Sequence, residues 1–106
     1  MKYPFLAEEA EEIRRLALRL GALQFGEFHL SAGGVSPYYF DGRLLTLDPE
    51  GAHRVAKAFM PVVRASGAEA VAGPTLGADP IVGALVVMSY GAPAPVAGLL
   101  VRSVAK

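Results

Sequence analysis

The segment Val71-Ala72-Gly73-Pro74-Thr75-Leu76-Gly77-Ala78-Asp79-Pro80 most narrows what this chain can become. An apolar run enters it and a helical pattern leaves it, with Gly, Pro, Thr and Gly between. That order reads as a strand, a tight turn and a helix start. Asp79-Pro80 predicts an N-cap followed by proline at the first helical position. In an open parallel sheet such turns lie at the carboxyl ends of strands, where ligands bind. Unpaired N–H groups at a helix start, with the helix dipole, favour an anion there. An ordinary strand–helix turn has the same residue types, so the local sequence leaves both readings open.

The neighbours of this segment supply a scaffold. Glu69 to Gly73 forms the strand that enters it, and Ile81 to Tyr90 a helix apolar on nearly every side, expected to be buried on most of them. Gly91-Ala92-Pro93 breaks that helix. Val96 to Val101 is a continuous apolar run, the pattern of a strand covered on both faces. Strand–helix–strand steps at this spacing predict a parallel sheet with right-handed crossovers. Upstream, Asp48 is a good N-cap and Pro49 a good first helical residue. Ala52, Val55, Ala56, Phe59 and Val63 form the expected buried stripe, Gly67 the stop, and Pro61 an expected kink. His53 lies beside the stripe and reads as a surface histidine. No second His or carboxylate cluster stands at metal-ligand spacing, so no protein metal ligands are assigned.

The N-terminal part reads differently. Ala7 to Leu20 is an amphipathic helix, with Ile13, Leu16, Ala17 and Leu20 on one face. Glu8, Glu9, Glu11 and Glu12 precede Arg14, Arg15 and Arg19, which suits the helix dipole and allows a Glu11–Arg15 pair. Gly21 ends it. Residues 22–47 look extended. Phe28 and Leu30 alternate with polar neighbours, Ser31 to Pro37 is turn chemistry, and Tyr38-Tyr39-Phe40 resumes as a strand before the turn signal Asp41-Gly42. The aromatics fit hairpin packing or a flat wall for a planar ligand.

Composition bears on what surrounds the fold. Apolar residues are 53% of 106 and charged residues 19%. A domain this small has a large surface and needs more polar cover than that. The excess predicts apolar surface buried against a second subunit or a further part of the same fold. The run ending at Val101 says the same, because a strand apolar on both faces belongs in the middle of a sheet, and little sequence follows it. Lys plus Arg and Asp plus Glu are 10 each. That balance gives no support for a nucleic-acid partner or an anionic membrane. There is no cysteine, which excludes disulfides and Cys zinc sites and fits a reducing compartment. Acidic residues, not an apolar signal core, follow Met1 to Phe5, and the apolar stretch from Pro80 to Met88 is too short to span a bilayer. The expectation is a soluble, cytoplasmic protein.

Three stretches together carry a family resemblance. Gly21 to Gly33, Ser36-Pro37-Tyr38-Tyr39-Phe40-Asp41 and Leu47-Asp48-Pro49-Glu50-Gly51 resemble the N-terminal half of orotate phosphoribosyltransferases. Ala72 to Pro80 resembles the family's pyrophosphate loop, in the variant with Thr-Leu-Gly-Ala-Asp-Pro. Val101-Arg102-Ser103-Val104-Ala105-Lys106 resembles the start of its basic mobile loop. The resemblance implies an α/β chain of the type I phosphoribosyltransferase fold: a parallel sheet with flanking helices and an N-terminal hood hairpin, incomplete at the C-terminus. It implies one partial domain over 1–106, with helix and hood in 1–47 and the first half of the core sheet in 48–106.

The resemblance also implies an activity. The family transfers the phosphoribosyl group of 5-phosphoribosyl 1-diphosphate (PRPP) to orotate with Mg²⁺, in pyrimidine biosynthesis, and works as a homodimer. By position, Tyr39 and Phe40 match the aromatic pair of the orotate pocket. Gly73, Pro74, Thr75, Leu76, Gly77, Ala78 and Asp79 match the diphosphate loop, with Arg102 and Lys106 the basic residues that reach PRPP. Lys106 is the catalytic cation of that scheme, stabilising charge on the departing diphosphate. The implied transition state is oxocarbenium-like, so no covalent nucleophile is needed, and the sequence offers no Ser/His/Asp or Cys/His arrangement. The chain departs from the pattern at Ser31 and Ser103, where the family often has Lys. The family's paired-acid, Thr/Gly-rich PRPP signature lies C-terminal to this region and is not among these residues. The expectation is a base pocket and a diphosphate loop without a ribose-phosphate cradle, and no catalysis by these residues alone. The rival expectation is a non-catalytic phosphoribosyltransferase-like binding protein.

Overall fold

A computed structural model describes residues 7–103. In chain order the elements are α1 (Ala7–Arg19), β1 (Leu23–His29), β2 (Val35–Phe40), α2 (Arg43–Thr46), α3 (Pro49–Ser66), β3 (Ala70–Pro74), α4 (Asp79–Ser89) and β4 (Ala97–Val101). β1 and β2 form an antiparallel hairpin, with a register shift between Phe25 and Phe28. β3 and β4 pair in parallel, from Ala70 opposite Ala97 to Pro74 opposite Val101, with α4 between them in sequence. This is the expected α/β arrangement of a hairpin followed by a parallel strand–helix–strand unit.

Local chemistry accounts for the helix ends. The Asp48 carboxylate accepts from Gly51 N–H at 2.9 Å, and Pro49 opens α3. Gly67 closes that helix with a left-handed φ of 71°, which glycine adopts without steric cost. α3 runs through Pro61 as one helix. In α1 the Glu11–Arg15 pair that the order of charges allows does not form. Arg14 binds Glu11 at 2.6 Å and Arg15 reaches Glu12 at 3.4 Å, so the i,i+3 register takes both pairs. Glu50 accepts from Arg54 at 2.8 Å and from Arg19 at 3.1 Å, which links α3 to α1. The Arg54 guanidinium holds the Glu50 carboxyl below its usual range, with a smaller contribution from Arg19.

Two apolar clusters form the core. Leu16, Ala17, Ala22, Leu45 and Val55 bury α1 and α2 against α3. Ala56, Met60 and Leu85 bury α3 against α4. Ile81 packs on both, so the start of α4 joins the two halves. Ser89 is fully buried and joins α4 to β4: its Oγ donates to Val86 O at 2.9 Å and accepts from Val96 N–H at 3.0 Å. At Gly98 a Cβ would meet the Val82 and Val86 methyls at 2.8 and 2.9 Å, so glycine lets β4 lie close under α4.

Four expectations are corrected. Residues 22–47 are not extended throughout, because α2 forms after the Asp41-Gly42 turn. Phe59 is exposed and Met60 is buried in its place, since both lie about one turn beyond the Val55–Ala56 pair. α4 buries Val82, Leu85 and Ser89 and partly buries Ile81, Ala84 and Met88, but leaves Val87 exposed, with Tyr90 just past its end. β4 is exposed at every position, with Leu99, Leu100 and Val101 about half open or more. Its only sheet neighbour among the described residues is β3.

Candidate functional site

The turn after β3 is held by backbone bonds at both ends. Thr75 N–H donates to Val101 O at 2.8 Å, which ties it to the end of β4. Ala78 N–H donates to Pro74 O and Asp79 N–H to Leu76 O, each at 3.1 Å. The N–H groups of Leu76 and Gly77 have no acceptor among the described residues. They lie just ahead of α4, where the dipole favours negative charge. Gly73 is required for this turn: a Cβ there would collide with the Ala78 Cβ.

The predicted N-cap at Asp79 is corrected. Ala78 occupies the cap position without a side-chain bond, Asp79 is the first residue of α4, and Pro80 follows it. The Asp79 carboxylate is taken by the Thr75 hydroxyl, which donates to its two oxygens at 2.8 and 3.1 Å. Thr75 stands four positions before Asp79, and the closed turn brings its hydroxyl onto that carboxylate.

The hairpin supplies the facing wall. Tyr39 and Phe40 pair with Gln24 and Leu23 across the ladder, and both rings remain about half exposed, at 47% and 53%. Tyr39 also packs on Phe28, with ring centroids 5.8 Å apart, so hairpin packing holds for that ring. Phe40 instead lies over Gly42, where a Cβ would meet its ring edge at 3.2 Å.

An open cleft of about 740 Å³ lies between wall and turn. Tyr39 and Phe40 line one side and Leu76 and Gly77 another, with Leu45, Val55 and Ile81 among its apolar lining. The two segments singled out in the sequence therefore share one cavity. Arg102 follows directly on Val101, whose carbonyl holds the turn, but it does not line the cleft. Lys106 lies outside the described residues.

Sequence reasoning missed Asp41, Arg43 and Thr46, which also line the cleft. Asp41 Oδ1 accepts from Arg43 N–H at 3.2 Å and from Arg43 Nε at 3.3 Å. That is an Asx turn, and Asp-Gly-Arg ahead of an apolar pair was its signal. Asp41 and Arg43 are the acidic and the basic side chain of the lining. Among the described residues, no three His, Asp or Glu side chains gather to hold a metal ion. No described helix is long and apolar enough to cross a membrane.

Comparison with known proteins gives a consistent set of relatives. No family model matches the chain. The orotate phosphoribosyltransferase of Nostoc sp. is 39% identical over 98% of this chain and 51% of its own length. That of Thermosynechococcus vestitus is 43% identical over 95% of this chain and 52% of its own length. Among solved structures, the Mycobacterium tuberculosis orotate phosphoribosyltransferase in complex with Fe(III) dicitrate superposes with a TM-score of 0.72 at 28% identity. It covers 92% of this chain and 54% of that one. Leishmania donovani UMP synthase superposes with a TM-score of 0.65 at 28% identity, over 87% of this chain and 19% of that one. The chain spans about half the length of the curated relatives it matches.

Proposed function

We propose that this chain, which is similar to about half the length of several orotate phosphoribosyltransferases, forms the base and diphosphate sides of such an active site. The relatives are named orotate phosphoribosyltransferase, and the pyrimidine-biosynthetic role is what the resemblance implies. On this reading 1–47 carry the hood and 48–106 the first part of the core sheet, in a cytoplasmic homodimer. The substrates are orotate and PRPP. The observation that carries the reading is the shared cleft: exposed aromatic faces on one side and unpaired N–H groups at a helix start on the other.

The chemistry follows from that arrangement. Orotate is planar and stacks on Tyr39 and Phe40. The N–H groups of Leu76 and Gly77 hold diphosphate oxygens. As the bond from ribose C1 to the diphosphate oxygen breaks, the electron pair leaves with diphosphate, the orotate ring nitrogen bonds C1, and the proton that nitrogen carried passes to the departing diphosphate or to water. By the resemblance, and not from this cleft, Arg102 and Lys106 stabilise the charge on the leaving group, reaching it across the homodimer. The described residues offer no cage for Mg²⁺. That ion keeps several waters and binds through substrate phosphates, so on this reading it comes with PRPP and neutralises charge there.

The test is calorimetry with orotate and with inorganic diphosphate, followed by turnover of PRPP with orotate or with adenine. Binding of both ligands supports the reading, and binding of neither overturns it. Turnover with adenine alone would reassign the base. Binding without turnover in the complete gene product would leave a binding protein.

A further inference from the structure

Gly42 has no backbone reason to be glycine. Its φ of −62° and ψ of −25° are helical values that alanine adopts readily. The reason lies in the space beside its Cα. A Cβ there would stand 3.2 Å from Phe40 Cε2 and 3.5 Å from Phe40 Cζ. Carbons pack best at about 3.5–4.0 Å, so the ring edge takes up room that a methyl group would need. Gly42 and Phe40 line the same cleft, and neither lines the outer one formed with Leu44, Leu47 and Pro49.

The backbone at Gly42 is held from both sides. Asp41 N–H donates to Ala22 O at 2.7 Å, and Ala22 is fully buried. Gly42 O accepts from Leu45 N–H at 3.0 Å, from Thr46 N–H at 2.9 Å and from the Thr46 hydroxyl at 3.1 Å. The Phe40 ring is the looser partner, half exposed and outside both core clusters. A methyl group added at Gly42 therefore turns the ring and leaves the fold in place. We propose that Gly42 is a positioning residue, which seats the Phe40 ring in the orientation that receives the planar base. Its effect on the base runs through that ring. The proposal rests on the reading of this cleft as the base site.

The experiment measures binding of orotate and of inorganic diphosphate, with thermal melting, for the wild type, Gly42→Ala, Phe40→Ala and the double variant. A displaced ring predicts about three- to tenfold weaker orotate binding in Gly42→Ala. Diphosphate binding should change by less than about twofold. The melting temperature should hold or rise, because alanine fits this backbone and restricts the unfolded chain. In the Phe40→Ala background, adding Gly42→Ala should cost no further orotate affinity. Unchanged orotate affinity in Gly42→Ala overturns the proposal and leaves the site reading intact. A lower melting temperature or a failure to fold also overturns it, since the backbone and not the ring would then have moved. So does an equal loss for diphosphate, or an undiminished further loss in the Phe40→Ala background, since the methyl group would then act other than through the ring. A wild type that binds no orotate removes the site reading and this proposal with it.

Discussion

Gly73 and Ala78 meet so closely that no side chain fits on Gly73: a Cβ built there collides with the Ala78 Cβ, while the Ala78 Cα stands 3.9 Å away. The end of β3 and the start of α4 are in contact across the turn, and that contact sets the turn's shape.

Gly73→Ala should therefore open the turn. Overpacking of this kind costs about 1–3 kcal/mol, and diphosphate binding should fall at least about tenfold. Ala78→Gly removes the atom that collides and should restore binding in the double variant. Calorimetry and thermal melting of the four proteins in that cycle check the coupling. Additive losses would show that the contact is not the cause.

Asp79→Ala removes both the acceptor for Thr75 and a negative charge at a helix start. Each is worth about 0.5–1 kcal/mol at a site of this exposure. The expected result is a melting temperature lower by about 4–8 °C per kcal/mol lost. Weaker diphosphate binding should accompany it, because the turn is less ordered. Diphosphate binding that tightens would show that charge repulsion outweighs loop order.

Phe40→Ala should lose orotate affinity with little change in melting temperature, because the ring is half exposed and outside both core clusters. Tyr39→Ala should cost more stability, about 0.5–1.5 kcal/mol for the lost ring pair with Phe28. Equal loss of fold and binding at Phe40 would return that ring to hairpin packing.

Acid should loosen the joint between α1 and α3. Glu50 is held below the ordinary glutamate value of 4.5 by Arg54 first and Arg19 second. A depressed carboxyl contributes stability above its unfolded pKa and loses it as pH falls through the folded value. Melting temperature should be level from neutrality down to about pH 5 and decline below it, less steeply in Glu50→Gln. The pair is exposed, so added salt should shrink the difference. A Glu50→Gln profile parallel to the wild type would refute the assignment.

The exposed strand predicts association. Leu99, Leu100 and Val101 lie open on β4, and Val87 and Tyr90 are open on and beside α4. Light scattering should show a dimer or larger species, and Leu100→Lys should lower its mass. A strictly monomeric wild type would count against this.

What the sequence revealed follows from the range of the forces involved. Asp48, Pro49 and Gly67 act within one helical turn, and α3 begins and ends where they predict. The strand–turn–helix at Val71 to Pro80 is equally local, and the parallel pairing followed from its spacing. Asp79 slipped by one residue because the nearby Thr75 hydroxyl claimed its carboxylate. α2 was hidden because a short helix has no periodicity to show, and only Asp41 bonding Arg43 N–H marks its start. Phe59 and Met60 are equivalent by helical spacing, so only packing against Leu85 decides that Met60 is buried. The apolar pattern of β4 reported a preference for cover, and among the described residues that cover is only partly supplied. The meeting of Tyr39 and Phe40 with Leu76 and Gly77 in one cleft is a tertiary fact that no local pattern contains.

The bond from Thr75 N–H to Val101 O is the last of the β3–β4 ladder and completes the Pro74–Val101 pair. Its amide proton should exchange with solvent slowly, in step with the strands, while the neighbouring protons of Leu76 and Gly77 exchange fast. The turn is thus clamped at its root and open at its tip. An anion arriving at the tip meets donors already held in place, and any pull on the segment after Val101 is transmitted through that rung to the turn.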